Sequence, residues 1–125
     1  MPLTLENVLG YAFNKSSLTI HMRYFGQLSD NRRMTRSKTG ATILRSDVKK
    51  WMNDLSMCVK LLSQHLKFEP PIQIRLDGHF KDKRYPDLCN LHWCIANSLK
   101  VGLGIDDKHF RFQDGDVITG AKEPK

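Results

Sequence analysis

Between Ser46 and the Pro70-Pro71 pair, apolar side chains recur at Val48, Trp51, Met52, Leu55, Cys58, Val59, Leu62 and Leu66. That spacing follows the 3.6-residue period of an α-helix with one buried face. Ser46 offers an N-cap, Asp47 suits the positive end of the helix dipole, and the prolines stop the run. So long a buried stripe has to be covered by other elements, which makes it the centre of the core. Cys58 falls within the stripe and reads as a small buried hydrophobe.

The rest of the chain supplies what could cover it. Residues 3–13 are apolar with mixed periodicity and read as a weak helix or an arm. Residues 18–25 alternate, with Leu18, Ile20, Met22 and Tyr24 on one side, and predict a strand. Residues 26–44 carry Gly26, Ser29, Asp30, Asn31 and Gly40 among basic residues and read as a long loop. Residues 71–80 alternate Ile72, Ile74, Leu76 and Phe80 against polar neighbours, a half-buried strand. After the polar loop 81–86 a second helix is expected from 87 to about 100, with Leu88, Leu91, Ile95 and Leu99 inward and Gly102 and Gly104 ending it. Residues 108–113 predict a short strand, Asp114-Gly115 a turn, Val117-Ile118 a further strand, and 121–125 a frayed tail. The order predicts one α+β domain over residues 1–125, a small mixed β-sheet packed against two main helices. Its parts are an arm at 1–17, a core at 18–118 and a tail at 119–125.

At 125 residues the chain can bury a core unaided. No apolar run reaches the roughly 20 residues of a membrane span, so no membrane partner is expected. Three cysteines without a secretion signal point to free thiols in a reducing, cytoplasmic compartment. The formal charge of +7 is concentrated: residues 31–50 hold Arg32, Arg33, Arg36, Lys38, Arg45, Lys49 and Lys50 against Asp47 alone. Such a patch reads either as a polyanion contact or as a solvated surface.

The most informative chemistry lies around Asp87 and the vicinal Asp106-Asp107. Gathered carboxylates repel unless a cation neutralises them, and hard oxygen ligands suit Mg²⁺. Asp87 reads equally as a helix cap, and Asp106-Asp107 as a surface turn. Together with their surroundings they resemble the core of the RusA family of Holliday-junction resolvases. The resemblance rests on the strand 72–80, the basic loop from Lys81 to Pro86, D-L-x-N-L at Asp87, Leu88, Asn90 and Leu91, and G-x-I-D-D ending at Asp107. Upstream, Ser29, Asn31, Arg32 and the basic segment with Gly40 are similar to the family's N-terminal half, so the likeness covers roughly 18–118.

What the resemblance implies is a bacterial or phage-encoded homodimer that binds four-way DNA junctions and nicks opposed strands with Mg²⁺, or Mn²⁺ in its place, in recombination and repair. It places metal-binding, catalytic aspartates at Asp87 and Asp107, with Asp106 beside the second. It places DNA contacts at Asn31, Arg32, Arg33, Arg36, Lys38, Lys83 and Arg84. Two positions depart from the family: a third aspartate falls at Cys89, and a catalytic lysine at Trp93. A thiolate is a poor partner for Mg²⁺, and tryptophan carries no charge. Either catalysis is weakened or lost, or Asp82 or Asp77 supplies the missing oxygen. The alternative to a nuclease is a catalytically inactive branched-DNA-binding protein that keeps the fold. A rival zinc centre at Cys89, His92 and Cys94, with His79 or His109, has spacings unlike those of structural zinc sites.

Overall fold

The stripe forms helix α1 (Ser46–Leu62) in the computed structural model, which describes residues 5–29, 32–66 and 68–125. Val48, Trp51, Leu55, Cys58 and Val59 are buried along it. Its start differs from the expected cap. Arg45 holds the N-cap position with extended backbone and no side-chain capping bond to the helix N–H groups, and Ser46 is already helical. Asp47 serves the first turn instead, accepting the Val48 N–H at 2.8 Å and pairing with Arg45 at 3.2 Å. The Arg45 hydrogen bond is the main reason its carboxyl lies below the ordinary carboxylate range.

Helix α2 (His92–Leu103), entered through a 3-10 turn at Leu88–Leu91, packs on α1. Leu88 and Leu91 are buried, while Ile95 and Leu99 reach the core from its edge. The centre of contact is a row of small residues, Cys94, Ser98 and Gly102, at i, i+4 and i+8. A Cβ on Gly102 would stand 2.8 Å from the Ser56 carbonyl oxygen and 3.0 Å from Val59 Cβ, so the helices meet there almost backbone to side chain. The Ser56 hydroxyl donates to the Ser98 carbonyl at 2.9 Å and the Ser98 hydroxyl to the Cys94 carbonyl at 2.7 Å, which satisfies the polar groups of the seam. Gly104, with φ 68°, ends the helix in the left-handed region that favours glycine, whereas Gly102 lies inside it.

The class is α+β, but the six strands among the described residues form three two-stranded sheets rather than one mixed sheet. β1 (Val8–Phe13) and β2 (Leu18–Met22) are antiparallel. The arm therefore contains a strand, where a weak helix was an alternative. The turn between them is tied by Asn14, whose side-chain oxygen accepts the Ser16 and Ser17 N–H groups at 2.9 Å each. β1 is anchored by Asp54, only 4 % exposed, which accepts from the backbone N–H and side-chain amide of Asn7 at 3.2 and 2.9 Å. The expected loop 26–44 contains an exposed hairpin of β3 (Met34–Arg36) and β4 (Thr42–Leu44), reversed at Gly40 with φ 85°.

β5 (Ile72–His79) and β6 (Phe110–Ile118) are parallel, and the chain between them returns through α2. β6 replaces the two short strands and the Asp114-Gly115 turn read from the sequence. That turn signal marks a bulge in which β6 carries one extra residue opposite Leu76–Gly78. Asp77 fills the bulge, accepting the Asp116 N–H at 2.6 Å, and a Cβ on Gly115 would collide with the Asp77 carboxylate and the Arg75 guanidinium. The tail is bonded rather than frayed. Gly120 and Ala121 donate to Lys81 and Phe80, Tyr24 donates to Pro124 at 3.0 Å, and Lys125 exchanges both backbone bonds with His79.

Gly102→Ala should lower the unfolding free energy by about 1–3 kcal/mol despite alanine's better helix propensity, because the seam leaves no room for a methyl group. Urea denaturation at an unchanged m-value checks this, and an unaltered midpoint would mean that the helices separate freely.

Asp77 gives a pH-dependent expectation. The Asp116 N–H foremost, helped by the Arg75 side chain, holds its carboxyl below the usual range against the upward push of burial. A carboxyl depressed in the folded state stabilises above its unfolded value, near about 3.9, and that stabilisation is lost as pH falls through the folded value. In Asp77→Asn the urea midpoint should therefore fall less between about pH 5 and about pH 2 than in the parent chain. Parallel curves would show that the bulge carries no ionic stabilisation.

Candidate nucleic-acid interface

The basic residues divide by whether a carboxylate already holds them. Arg45 is paired with Asp47, Lys50 with Asp54 at 3.5 Å, and Arg84 with Asp82 at 3.0 Å. Arg32, Arg36 on β3, Lys38 at the hairpin turn, Lys49 and Lys83 are exposed, and no carboxylate partner meets them among the described residues. Asn31, also expected at the DNA surface, lies outside the described residues.

Aromatic packing brings the two basic segments to one end of the molecule. Tyr24 meets Phe80 edge to face at 4.9 Å, and Phe80 stacks on Tyr85 at 5.0 Å, which fixes the loop 81–86 against the end of β2. Arg32 is close enough to Tyr24 for its charge to oppose the upward push of burial on the phenol. The Cys94 thiol donates to the Leu28 carbonyl at 3.3 Å, tying the segment before the hairpin to α2. Next to it the Arg33 guanidinium lies 4.3 Å over the ring of Trp93. The position where the resemblance implies a lysine is therefore uncharged in sequence but covered by a positive charge from another element.

Asp87 and Asp107 flank α2 at its opposite ends. Asp87 is exposed just before the Leu88–Leu91 turn, its carbonyl accepting the Asn90 N–H at 2.9 Å and its carboxylate making no cap bond. Asp107 opens the turn Asp107–His109 on the far side of α2. The 12 residues of α2 span about 18 Å. The parallel β5–β6 pairing likewise sets Asp87 beyond the C-terminal end of β5 and Asp107 at the N-terminal start of β6. The crossover that links two parallel strands necessarily separates its own two ends.

The neighbouring carboxylates are engaged elsewhere. Asp106 accepts the Lys108 N–H at 3.3 Å, and this bond first, then Asp107 and the charges of Lys100 and Lys108, keeps its carboxyl low. Asp82 pairs with Arg84 and Asp77 fills the β6 bulge, so the two carboxylates considered as substitutes for the aspartate that the resemblance expects at Cys89 already have partners. Cys89 is exposed, its sulfur 3.9 Å from the Asn90 side-chain oxygen. Among the described residues no three His, Cys, Asp or Glu side chains stand together to hold a metal. The zinc set is dispersed too: Cys94 is buried, and His92 places Nε2 2.6 Å from Asp114 and stacks on Phe112 at 4.3 Å.

Sequence reading missed the Arg33–Trp93 and His92–Asp114 contacts. Each joins elements distant along the chain, and no local period signals such a pairing. No family model, no curated protein and no solved structure matches the chain.

Proposed function

We propose that this chain binds branched DNA through its basic end, as a homodimer whose two-fold axis suits the symmetry of a four-way junction. The observation that carries the reading is a pair of distant basic segments, one tied to the start of α2 by Arg33 on Trp93 and the other to the end of β5 by Tyr85 on Phe80, with Arg32, Arg36, Lys38 and Lys83 exposed on them. Cations without carboxylate partners are available to phosphates, and their contacts release condensed counterions. The β3–β4 hairpin is a two-stranded ribbon whose cations are accompanied by the exposed Met34 and Ile43. A ribbon of this kind is narrow enough to enter a major groove. Arg33, held on Trp93, sets a guanidinium plane beside this surface.

The separation of Asp87 from Asp107 favours binding over cleavage. Nuclease chemistry of the RusA type would need Asp87 of one subunit to meet Asp107 of another, with Mg²⁺ or Mn²⁺ between them.

Junction binding should weaken steeply with salt, and Arg36→Ala with Lys38→Ala should reduce the slope of log affinity against log salt by about two. An unchanged slope would remove the hairpin from the interface. The same preparations, incubated with a four-way junction and Mg²⁺ or Mn²⁺, should leave it intact. Symmetric nicks abolished by Asp87→Asn would establish the nuclease reading instead.

A further inference from the structure

Loop 81–86 carries Tyr85, whose ring lies flat on Phe80, with centroids 5.0 Å apart and planes inclined by 11°. Phe80 is itself fixed. It is 2 % exposed, Tyr24 meets it edge to face, and a Cβ on Gly78 would collide with its ring. A core ring therefore backs a surface ring. Packing places Tyr85, since its hydroxyl makes no hydrogen bond among the described residues.

With one face on Phe80, Tyr85 is still 42 % exposed, so its exposure comes from the opposite face and the ring edge. Charge surrounds it. Residues 81–87 carry Lys81, Lys83 and Arg84 against Asp82 and Asp87, three minus two, or +1. Asp82 is taken by Arg84 at 3.0 Å, which leaves Lys81 and Lys83 exposed beside the ring and no carboxylate paired with them among the described residues. Trp93 differs, because the Arg33 guanidinium already lies over its ring.

We infer that the open face of Tyr85 receives an unpaired nucleobase. The inference rests on the reading of this surface as one that binds DNA, and it adds which part of the DNA meets the ring. An aromatic face alone would equally suit a sugar or an apolar side chain; the lysines beside it favour a strand that carries phosphates. A base inside a duplex has a neighbour on both faces, so a base released from pairing is the one with a face to give. Stacking accepts any base, because each has a π-face. Phe80 holds the ring in place before anything binds, so little side-chain freedom is lost when it is covered. Bases of this kind arise where the strands of a branched DNA exchange partners.

The test uses the full chain and a single strand of about ten nucleotides of 5-iodouracil, a base that bonds photochemically to an aromatic ring stacked on it. Irradiation should link the strand to position 85, located by mass spectrometry, in the parent chain and in Tyr85→Phe. Tyr85→Leu, which keeps an apolar side chain on Phe80, should lose the link. It should also weaken binding to the strand about tenfold more than binding to a fully paired duplex. That loss should be the same at low and high salt, since stacking releases no counterions. The inference is overturned if the link maps only to other positions, if Tyr85→Leu binds the strand like the parent, or if strand and duplex binding fall equally. Salt-dependent binding of the strand with no link at Tyr85 would overturn the stacking and leave the DNA surface standing. Absence of binding to both strand and junction would remove the two together.

Discussion

Gly102 lies so close to the Ser56 carbonyl and the Val59 side chain that α1 and α2 meet with no room for a side chain at that position of α2. The β5–β6 pair is attached to that seam at both ends, since α2 is the crossover between the two parallel strands. The β1–β2 pair is attached separately, through the Asn7–Asp54 contact and through Trp51, whose indole N–H donates to the Arg23 carbonyl at 2.7 Å. The helix pair thus positions two sheets that make no ladder with each other.

The same construction determines where charge accumulates. A parallel crossover sends the start of α2 to the C-terminal end of β5, the end that carries the loop 81–86 and meets Tyr24. Basic residues that are far apart in sequence become neighbours there, while Asp106 and Asp107 are carried to the opposite end. Topology, more than the count of charged residues, gathers basic side chains at one pole of the molecule and carries the acidic pair toward the other.

Periodic signals were legible in the sequence and contacts between distant segments were not. The α1 stripe, the β2 and β5 alternations and the glycine stop of α2 can be read because each rests on a repeat of two or 3.6 residues. The core face of α2 was half legible. Its leucines are apolar enough to register, but Cys94, Ser98 and Gly102 are not, and they make the closest approach. The Asp114-Gly115 pair misled because the turn signal and the bulge signal are the same residues, and only the partner strand decides between them. The acidic motif was legible only as an order along the chain: it lists Asp87 before Asp107, while their spacing depends on the helix folded between them. The basic patch was found by composition, and its second half, around Lys83, joins it only through the stacking of Tyr24, Phe80 and Tyr85.

The two tryptophans occupy electrically opposite settings. Trp51 is 5 % exposed and its indole N–H is bonded within the core, whereas Trp93 is 39 % exposed beneath a guanidinium at the basic pole. Their emission is therefore separable by colour and by quencher access. The inner indole responds to loss of packing and the outer one to whatever displaces or covers Arg33. The chain carries two intrinsic optical reporters, one for its integrity and one for the occupancy of its charged surface, without an added label.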